Sequence, residues 1–373
     1  MPPFDVVVIG LGVVGSAALA ELSLRGLRVL GLDRHRPGHD LGSSHGESRI
    51  IRLGYFEHPS YVPLLRRTYD LWRALETATD TQLLHITGIA EIGRPDGEVV
   101  SGTLAASRQH GLAHEILSAA EAMRRFPAFR LPDDFVCVFQ PDGGFVAADR
   151  ALQALLAQAG RHGATIRTGV TVETVTPDGH GVRVRTAAGD IEARAAIIAA
   201  GPWMDRLVPG LPLRVTRQVV TWFAPREPAL FEPARFPVFL LESAHGAHYG
   251  FPLSAAGTVK IARHHHLDQT VDPDRVDRAF SPADEAAIRP AIAAYIPAAD
   301  GPPAATETCL YTVTPDRHFI VDRLPHAPQI VVASPCSGHG FKFAPVLGEA
   351  LADLATGGET SHDLGRFKLS RFR

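Results

Sequence analysis

The chain is short of cysteine, of lysine and of long apolar runs, and each shortage excludes a class of protein. Its 373 residues include only three cysteines, Cys137, Cys309 and Cys336, without paired spacing. Such a set excludes a disulfide framework and fits a reducing compartment, so we expect a cytoplasmic protein. The apolar run at 6–20 is too short to span a bilayer, is interrupted by glycines and follows Asp5. We therefore expect neither a membrane helix nor a signal peptide from it.

An excess of positive charge is also absent. The formal net charge is −3, from 37 Lys plus Arg against 40 Asp plus Glu, which gives no basic surface for nucleic acid. The chain is 45% hydrophobic and 21% charged, which is enough for a large core or for two domains. The composition therefore predicts an ordinary globular protein.

Lysine is the scarce cation, since only Lys260, Lys342 and Lys368 occur among the 37 Lys plus Arg. A general preference for arginine would replace any lysine that only carries a solvated charge. The lysine ammonium is compact and its pKa shifts readily on burial, whereas guanidinium stays charged. Lys260 and Lys342 lie in apolar, glycine-flanked segments, so we predict a chemical role for Lys260. The alternative is a surface lysine on an edge strand.

The first 33 residues contain the elements of a dinucleotide-binding site. In order these are a β-branched strand at 4–9, the glycines Gly10, Gly12 and Gly15, a helix at 16–25, and a strand at 27–32 followed by Asp33. Gly10 allows a tight turn, Gly12 lets the backbone approach a pyrophosphate, and Gly15 lets the helix pack close to the strand. The helix N-terminus favours phosphate, and Asp33 is expected to bind a ribose hydroxyl.

Two questions stay open at this motif. A glycine-rich turn in another α/β domain is the alternative to a dinucleotide site, and the motif alone does not separate NAD from FAD. No second fingerprint occurs in the chain, which argues against a reductase that binds both and favours FAD.

Two arginines follow in the segment SSHGESRIIR. Arg49 and Arg52 are three residues apart, so on a helical turn they would share a face, and the apolar residues between them indicate partial burial. Such a pair predicts an anion or an electron-rich ring nearby. The alternative is a pair of surface arginines bridged to Glu47 and Glu57.

The remaining pattern predicts an α/β (mixed α+β) fold of two interleaved domains. Helices are expected at 62–80, 150–161, 281–296 and 345–356, and strands at 88–92, 136–140, 165–167, 171–176, 182–186, 192–200, 306–311, 319–322 and 330–334. Residues 214–265 read as hairpins, with Lys260 and His264 on one face of a strand. We assign 1–84, 146–213 and 306–373 to a Rossmann-like FAD-binding domain. Residues 85–145 and 214–305 form a substrate domain on an antiparallel or mixed sheet.

Four blocks carry a resemblance to a known family. They are VVVIGLGVVGSAA, HGESRIIRLGYFE, HYGFPLSAAGTVKIARH, and CLYTVTPDRHFIVD followed by SGHGFKFAPVLGE. Their content and order resemble the monomeric sarcosine oxidase and N-methyltryptophan oxidase family, within the D-amino-acid-oxidase-like flavoenzymes. The resemblance implies a monomeric FAD oxidase of secondary amino acids, with an amino-acid substrate and O2 as partners and H2O2 as product. The charge and the apolar pattern lead us to expect no nucleic-acid or membrane partner.

The resemblance also implies roles for individual residues. Cys309 resembles the cysteine that bonds covalently to the 8α position of FAD, although a small buried hydrophobe is the alternative. Lys260 resembles the lysine that assists O2 reduction, and His264 a substrate-site histidine, with a structural histidine as its alternative. Arg52 and Lys342 resemble the pair that grips the substrate carboxylate, and Glu57 would order the Arg52 region.

Further residues complete the implied site. Arg49 would lie close to the flavin ring, and Tyr249 and Tyr311 would line the substrate cavity. Other residues expected at FAD are Gly10, Gly12, Val14, Gly15, Asp33, Ser43, Ser44, His45, Ile50, Val172, Gly201, Gly338, His339 and Gly340, together with Lys342. The run His264-His265-His266 does not predict a metal site, because neighbours on a strand face opposite sides. Cys137 and Cys336 are expected to serve packing.

The resemblance has departures, and rival functions follow. Ser44, Glu47-Ser48 and Leu53-Gly54 differ from the residues of better-known relatives, which puts the pocket size and the preferred substrate in doubt. One rival is a flavin dehydrogenase that passes electrons to a carrier, and another is an oxidase of pipecolate- or proline-type acids. A flavin-binding carrier without turnover is a third, although it would need no carboxylate clamp.

Overall fold

The computed structural model describes residues 3–372 and consists of nineteen strands and eight α-helices. The strands are β1 Phe4–Ile9, β2 Val29–Asp33, β3 Ser48–Ile51, β4 Leu84–Ile86, β5 Ile89–Gly93, β6 Glu115–Ser118, β7 Val136–Gln140, β8 Gly144–Ala147, β9 Thr165–Thr168, β10 Val172–Asp178, β11 Gly181–Thr186, β12 Gly189–Ile198, β13 Arg214–Phe223, β14 Val238–Ser243, β15 Gly246–Gly250, β16 Val259–Arg263, β17 Pro303–Val313, β18 Ile320–Leu324 and β19 Ala327–Ser334. The helices are α1 Val13–Leu24, α2 Val62–Thr79, α3 Glu98–His110, α4 Ala119–Arg125, α5 Ala148–Arg161, α6 Met204–Leu207, α7 Pro282–Tyr295 and α8 Ala344–Ala355.

The first sheet has a parallel centre in the order β12-β1-β2-β9, with β19 parallel to β12 on its other side. The four apolar residues at 6–9 of β1 are buried, as expected for a strand that is covered on both faces. Helix α1 covers one face together with α5 and α8. A Cβ at Gly348 of α8 would lie 2.8 Å from the carbonyl of Ala17, so this glycine permits the close packing of α8 on α1.

The second sheet has the order β17-β13-β16-β15-β14-β5-β7-β6, and only the β14–β5 pair is parallel. Several phenylalanines lie in its core, including Phe129, Phe236 and Phe239, whose ring centroids lie 5.1 to 5.8 Å apart. A small third sheet, β3-β8-β4, joins the segment after α1 and β2 to this part of the molecule. The predicted fold class, a Rossmann-type sheet with a second, largely antiparallel sheet, is confirmed.

Two local predictions are wrong. Arg49 lies on strand β3, which pairs with β8, and the expected helical turn is absent. Strand β16 ends at Arg263, so the three histidines follow it as turn residues, and His265 and His266 have φ values of 56° and 21°. The alternation argument therefore does not apply to them.

The proposed division into domains stays a prediction. The two large sheets recruit strands from several parts of the chain, in keeping with a discontinuous arrangement. Strand β17 falls inside the segment 306–373 that we assigned to the FAD-binding domain for most of its length, and it hydrogen-bonds to β13 of the second sheet. It carries Cys309, which pairs with Gln218 of β13.

Candidate active site

A cavity of about 490 Å³ runs from the glycine-rich loop after β1 to the start of α8. Every residue that the sequence proposed for the site lines this cavity, with the exception of Gly15. A Cβ at Gly15 would lie 1.8 Å from the carbonyl oxygen of Gly10, so this glycine acts through the packing of α1 on β1. The fold therefore collects residues from 10 to 342 in one place.

The first end of the cavity suits a diphosphate. Gly10 has a φ of 89°, and its added Cβ would lie 2.5 Å from the carbonyl oxygen of Ala199, so only glycine fits there. Helix α1 points its N-terminus into the cavity, with neither a side-chain cap at Gly12 nor an acidic residue in its first turn. The Ser44 hydroxyl accepts from the amide of Val13 at 3.1 Å. Free amides and a partial positive charge at a helix N-terminus are what phosphate oxygens require.

Asp33 is the last residue of strand β2, at the carboxyl end where the motif predicts an acid. Its carboxylate accepts from the backbone amides of Leu11 and His35, each at 2.7 Å, and it is 7% exposed. A carboxylate has lone pairs beyond these two bonds, so a ribose hydroxyl can still donate to it. Gly201 and Val172 line the same end of the cavity.

Arg49 turns back onto the loop that precedes it. Its guanidinium donates to the carbonyls of Ser43 and His45 and, at 3.0 Å, to that of Ser48. The carbon of the guanidinium lies 5.6 Å from the centroid of the Phe341 ring. Arg49 therefore holds the segment 43–48 and places a fixed positive charge at the middle of the cavity.

Lys260 is a buried lysine in the interior of the second sheet. Strand β16 lies between β13 and β15, and Lys260 is 3% exposed, so the alternative of a surface lysine on an edge strand is wrong. Its ammonium donates to the carbonyl of Ser48 at 3.1 Å and lies 5.1 Å from the ring centroids of Trp222 and Phe251. No carboxylate lies within 4.0 Å of it in the described part of the chain. Burial, assisted by the charge of Arg49, lowers the pKa of Lys260 to about 7.

Arg52 and Lys342 are two further buried cations, 2% and 5% exposed. Arg52 donates to a Glu57 carboxylate oxygen at 2.7 Å, so that ion pair exists, but Arg52 is a buried residue and Glu57 a partly buried one. Lys342 donates to the carbonyl of His339 at 2.8 Å. Burial and the charge of Arg52 lower the pKa of Lys342 to about 7. Burial opposes the ionisation of Glu57, but Arg52 and further cations outweigh it and its pKa is lowered.

Aromatic side chains also line the cavity. The Tyr311 hydroxyl lies 3.5 Å from His264 Nδ1, and Gly338 makes room for both, since its added Cβ would lie 2.4 Å and 2.7 Å from their rings. Burial, followed by the charge of His265, holds the pKa of His264 well below its ordinary value, so its imidazole is neutral. Burial raises the pKa of Tyr249 to about 12. Burial also holds the pKa of Tyr311 well above its ordinary value, so both tyrosines and the histidine are neutral hydrogen-bonding groups.

The three cysteines occupy different environments. Cys137 is buried in the core of the second sheet, as predicted. Cys309 is 7% exposed and lines the cavity, and burial raises its pKa although Arg49 and Lys260 act in the opposite direction. Cys336, which we expected to serve packing, also lines the cavity, and its sulfur accepts from the amide of Thr312 at 3.3 Å. Its side chain is therefore not confined to the core.

Some cavity residues were missed in the sequence. Phe251 lies two residues after Tyr249 and reaches the same cavity, a spacing that strand alternation could have revealed. Leu240 lies directly opposite Tyr249 on β14, and only the strand pairing shows this. His266 leaves the cavity and bonds to Asp284 at 2.8 Å. The described residues contain no cluster of three or more His, Cys, Asp or Glu that could hold a metal ion.

Residues 5–354 match the FAD dependent oxidoreductase family. The chain belongs to this family, and FAD is its cofactor. It is 40% identical to the monomeric sarcosine oxidase of Streptomyces avermitilis, over 98% of this chain and 97% of that protein. It is 36% identical to the N-methyl-L-tryptophan oxidase of Salmonella enteritidis PT4, over 99% of both chains. The resemblance to this group of oxidases is confirmed.

Solved structures agree with the fold. NikD, described as an unusual amino acid oxidase essential for nikkomycin biosynthesis, superposes with a TM-score of 0.86 at 30% identity, covering 99% of this chain and 98% of that one. Glycine oxidase from Geobacillus kaustophilus has a TM-score of 0.83 at 21% identity, covering 100% and 99%, and supports the fold alone. Among residues 3–372, no helix combines the length and apolarity needed to cross a membrane.

Proposed function

We propose that the protein oxidises small secondary amino acids of the N-methyl type, such as sarcosine, with O2 as the electron acceptor. One observation carries the proposal: two buried cations, Arg52 and Lys342, line the same cavity as the glycine-rich FAD loop and the buried Lys260. Such a pair suits a small anion such as a carboxylate. Sarcosine and N-methyltryptophan, for which the relatives are named, each contain a carboxylate.

In the proposed complex, charged side chains bind the substrate carboxylate and neutral ones contact the rest of the substrate. Arg52 and Lys342 hold the carboxylate, and Glu57 keeps the Arg52 guanidinium in place at 2.7 Å. The neutral His264 and the hydroxyls of Tyr249 and Tyr311 face the other side of the substrate. Fixed contacts of this kind orient the C–H bond beside the amine and replace the water around it.

The residues that hold FAD follow the length of the cavity. The amides of the α1 N-terminus take the diphosphate, Asp33 takes a ribose hydroxyl, and Arg49 lies beside the ring system. When bound, FAD accepts two electrons from the substrate C–N unit and passes them to O2. The imine product hydrolyses in water, to formaldehyde and a primary amino acid if the substrate is N-methylated.

Two residues have further proposed roles. Lys260 places a positive charge where anionic oxygen species form, which lowers the barrier to peroxide. Cys309 is the proposed attachment point of the flavin 8α position, because it is a cavity-lining thiol flanked by the charges of Arg49 and Lys260. A monomeric state and a reducing compartment accord with the names of the relatives and with the three free cysteines.

Peroxide formation in air with a panel of sarcosine, N-methyltryptophan, pipecolate and proline tests the proposal. Peroxide with N-methyl substrates supports it, and formaldehyde should appear in equal amount. Turnover with an electron-accepting dye but not with O2 would make the protein a dehydrogenase. A yellow protein that turns over none of the four with either acceptor would contradict the proposed function.

A further inference from the structure

A closed ring of polar contacts lies behind Arg52. Arg52 Nη1 donates to the carbonyl of Gly54 at 2.7 Å, and the amide of Gly54 donates to Gln140 Oε1 at 2.7 Å. Gln140 Nε2 donates to Glu91 Oε2, and Glu91 Oε1 lies 3.4 Å from Arg52 Nη1. The ring ties the loop after β3 to strands β5 and β7 of the second sheet.

Glu91 is the unusual member of this ring. It is 0% exposed, does not line the cavity, and its Oε1 atom has no hydrogen-bond partner within residues 3–372. It contacts the proposed carboxylate-binding site through Arg52. A buried carboxyl group without full hydrogen bonding is costly when ionised. The ring therefore contains a group whose ionisation is sensitive to its surroundings, in addition to the contacts that support the backbone.

The charge count at the site depends on Glu91. Arg52 and Lys342 are the cations, and Glu57 and Glu91 are the acids. With all four ionised the charges sum to zero, and an incoming carboxylate enters a neutral site. With Glu91 protonated the sum is +1, which favours the carboxylate.

Groups from four parts of the chain face Glu91. Arg52 and Glu57 face it from the segment after β3, Gln140 and Cys137 from β7, and Thr103 from α3. Leu240, its pairing partner on β14, brings no charge. Burial raises the pKa of Glu91 to about 7, against the effect of Arg52, so its protonation changes within the neutral range.

We propose that Glu91 is a positioning residue that couples carboxylate binding at Arg52 to the uptake of one proton. The proposal rests on the proposed function, because it takes Arg52 as a carboxylate-binding residue. When pH rises, Glu91 ionises and competes with the substrate carboxylate for the Arg52 charge. When a carboxylate binds, the equilibrium returns Glu91 to its protonated form, since the two linked equilibria are reciprocal.

Propionate, which has a carboxylate but no amine, is the probe. Its Kd for the FAD-loaded enzyme is measured from the change in visible flavin absorbance between about pH 6 and about pH 9, in wild type, Glu91→Gln and Glu115→Gln. Glu91→Gln keeps the shape and the hydrogen bond to Gln140 but cannot ionise. Glu115 is an exposed acid on β6 of the same sheet, paired with Arg125, and serves as the matched control.

Between the two pH values the propionate Kd should rise in both proteins. We expect the factor for wild type to be about ten times the factor for Glu91→Gln, which corresponds to one pKa unit of coupling. The deprotonation of Lys342 contributes a rise that both proteins share. Glu115→Gln should follow wild type. A Glu91→Gln variant with the wild-type pH dependence, or with affinity lowered equally at every pH, would overturn the proposal, and the second result would indicate a structural role.

A second measurement does not depend on the folding of the variant. Infrared difference spectra of wild type, recorded above pH 7 with isotope-labelled propionate, should show the carbonyl band of a newly protonated carboxyl group, which a lysine cannot produce. The absence of this band contradicts the coupling. Propionate binding needs no turnover, so these results are independent of whether any amino acid is oxidised.

Discussion

Replacement of Lys260 by methionine tests the role of the buried lysine. The substitution removes the charge but keeps an unbranched side chain in a site walled by Trp222 and Phe251. In the proposed site the amino-acid carboxylate binds to Arg52 and Lys342 and not to Lys260, so the reduction of the flavin by substrate should change little. Reoxidation by O2 should slow severely, because the anionic oxygen species would lose a stabilising positive charge.

The magnitude follows from Coulomb's law. A positive charge about 5 Å from a developing anion, at an effective dielectric constant of about 20, contributes about 3 kcal/mol, or about two orders of magnitude in rate. The pKa of Lys260 lies at about 7, so roughly half of the enzyme carries this charge at neutral pH. A lysine is charged below its pKa, so the wild-type reoxidation rate should fall as pH rises through about 7.

Stopped-flow absorbance separates the two half-reactions, with anaerobic mixing for reduction and mixing with O2 for reoxidation. Lys260→Arg is the matched variant, because its guanidinium stays charged and the fall in rate near pH 7 should disappear. The thermal midpoint of Lys260→Met should not decrease, because the penalty for burying a charge is removed. Equal slowing of both half-reactions by Lys260→Met would refute the assigned role.

Three further predictions concern the cofactor and the clamp. Cys309→Ser should release its yellow colour into the supernatant on acid precipitation, whereas wild type and Cys336→Ser should retain it with the protein. Retention by Cys309→Ser would exclude this attachment point. Lys342→Met should raise the steady-state KM for the amino acid by about tenfold to a hundredfold, since one charge-assisted contact is worth about 1.5–3 kcal/mol, and an unchanged KM would remove it from the clamp. Gly15→Ala should lose FAD and have a lower thermal midpoint, because the added Cβ would lie 1.8 Å from a carbonyl oxygen. Gly160→Ala in α5 is the control, since its added Cβ has no neighbouring atom within 4 Å outside its own helix backbone. It should keep FAD, and its free energy of unfolding should increase by up to about 1 kcal/mol.

Local sequence patterns identified much of the fold. The β-branched run at 4–9 and the strand at 136–140 lie where they were predicted, because a continuous apolar run bounded by turn residues has few other structures open to it. Helix α1 begins three residues before the predicted start at 16, directly after Gly12. Helix ends depend on capping contacts, here with Ser44, and these are less regular than the apolar pattern.

The sequence by itself determined the chemistry that the site could offer. The glycine fingerprint and the acid after the second strand predict a dinucleotide site. The two lysines retained among many arginines predict cations with a chemical role. Both predictions are possible because backbone freedom and the tendency of a side-chain pKa to shift are properties of single residues. The tertiary structure decided how those residues meet. Arg49 became a strand residue because 48–51 pairs with 144–147, about a hundred positions away. Glu91 and Gln140 were unremarkable in the sequence, and only the pairing of β5 with β7 places them behind Arg52, where burial makes a carboxyl group sensitive to pH.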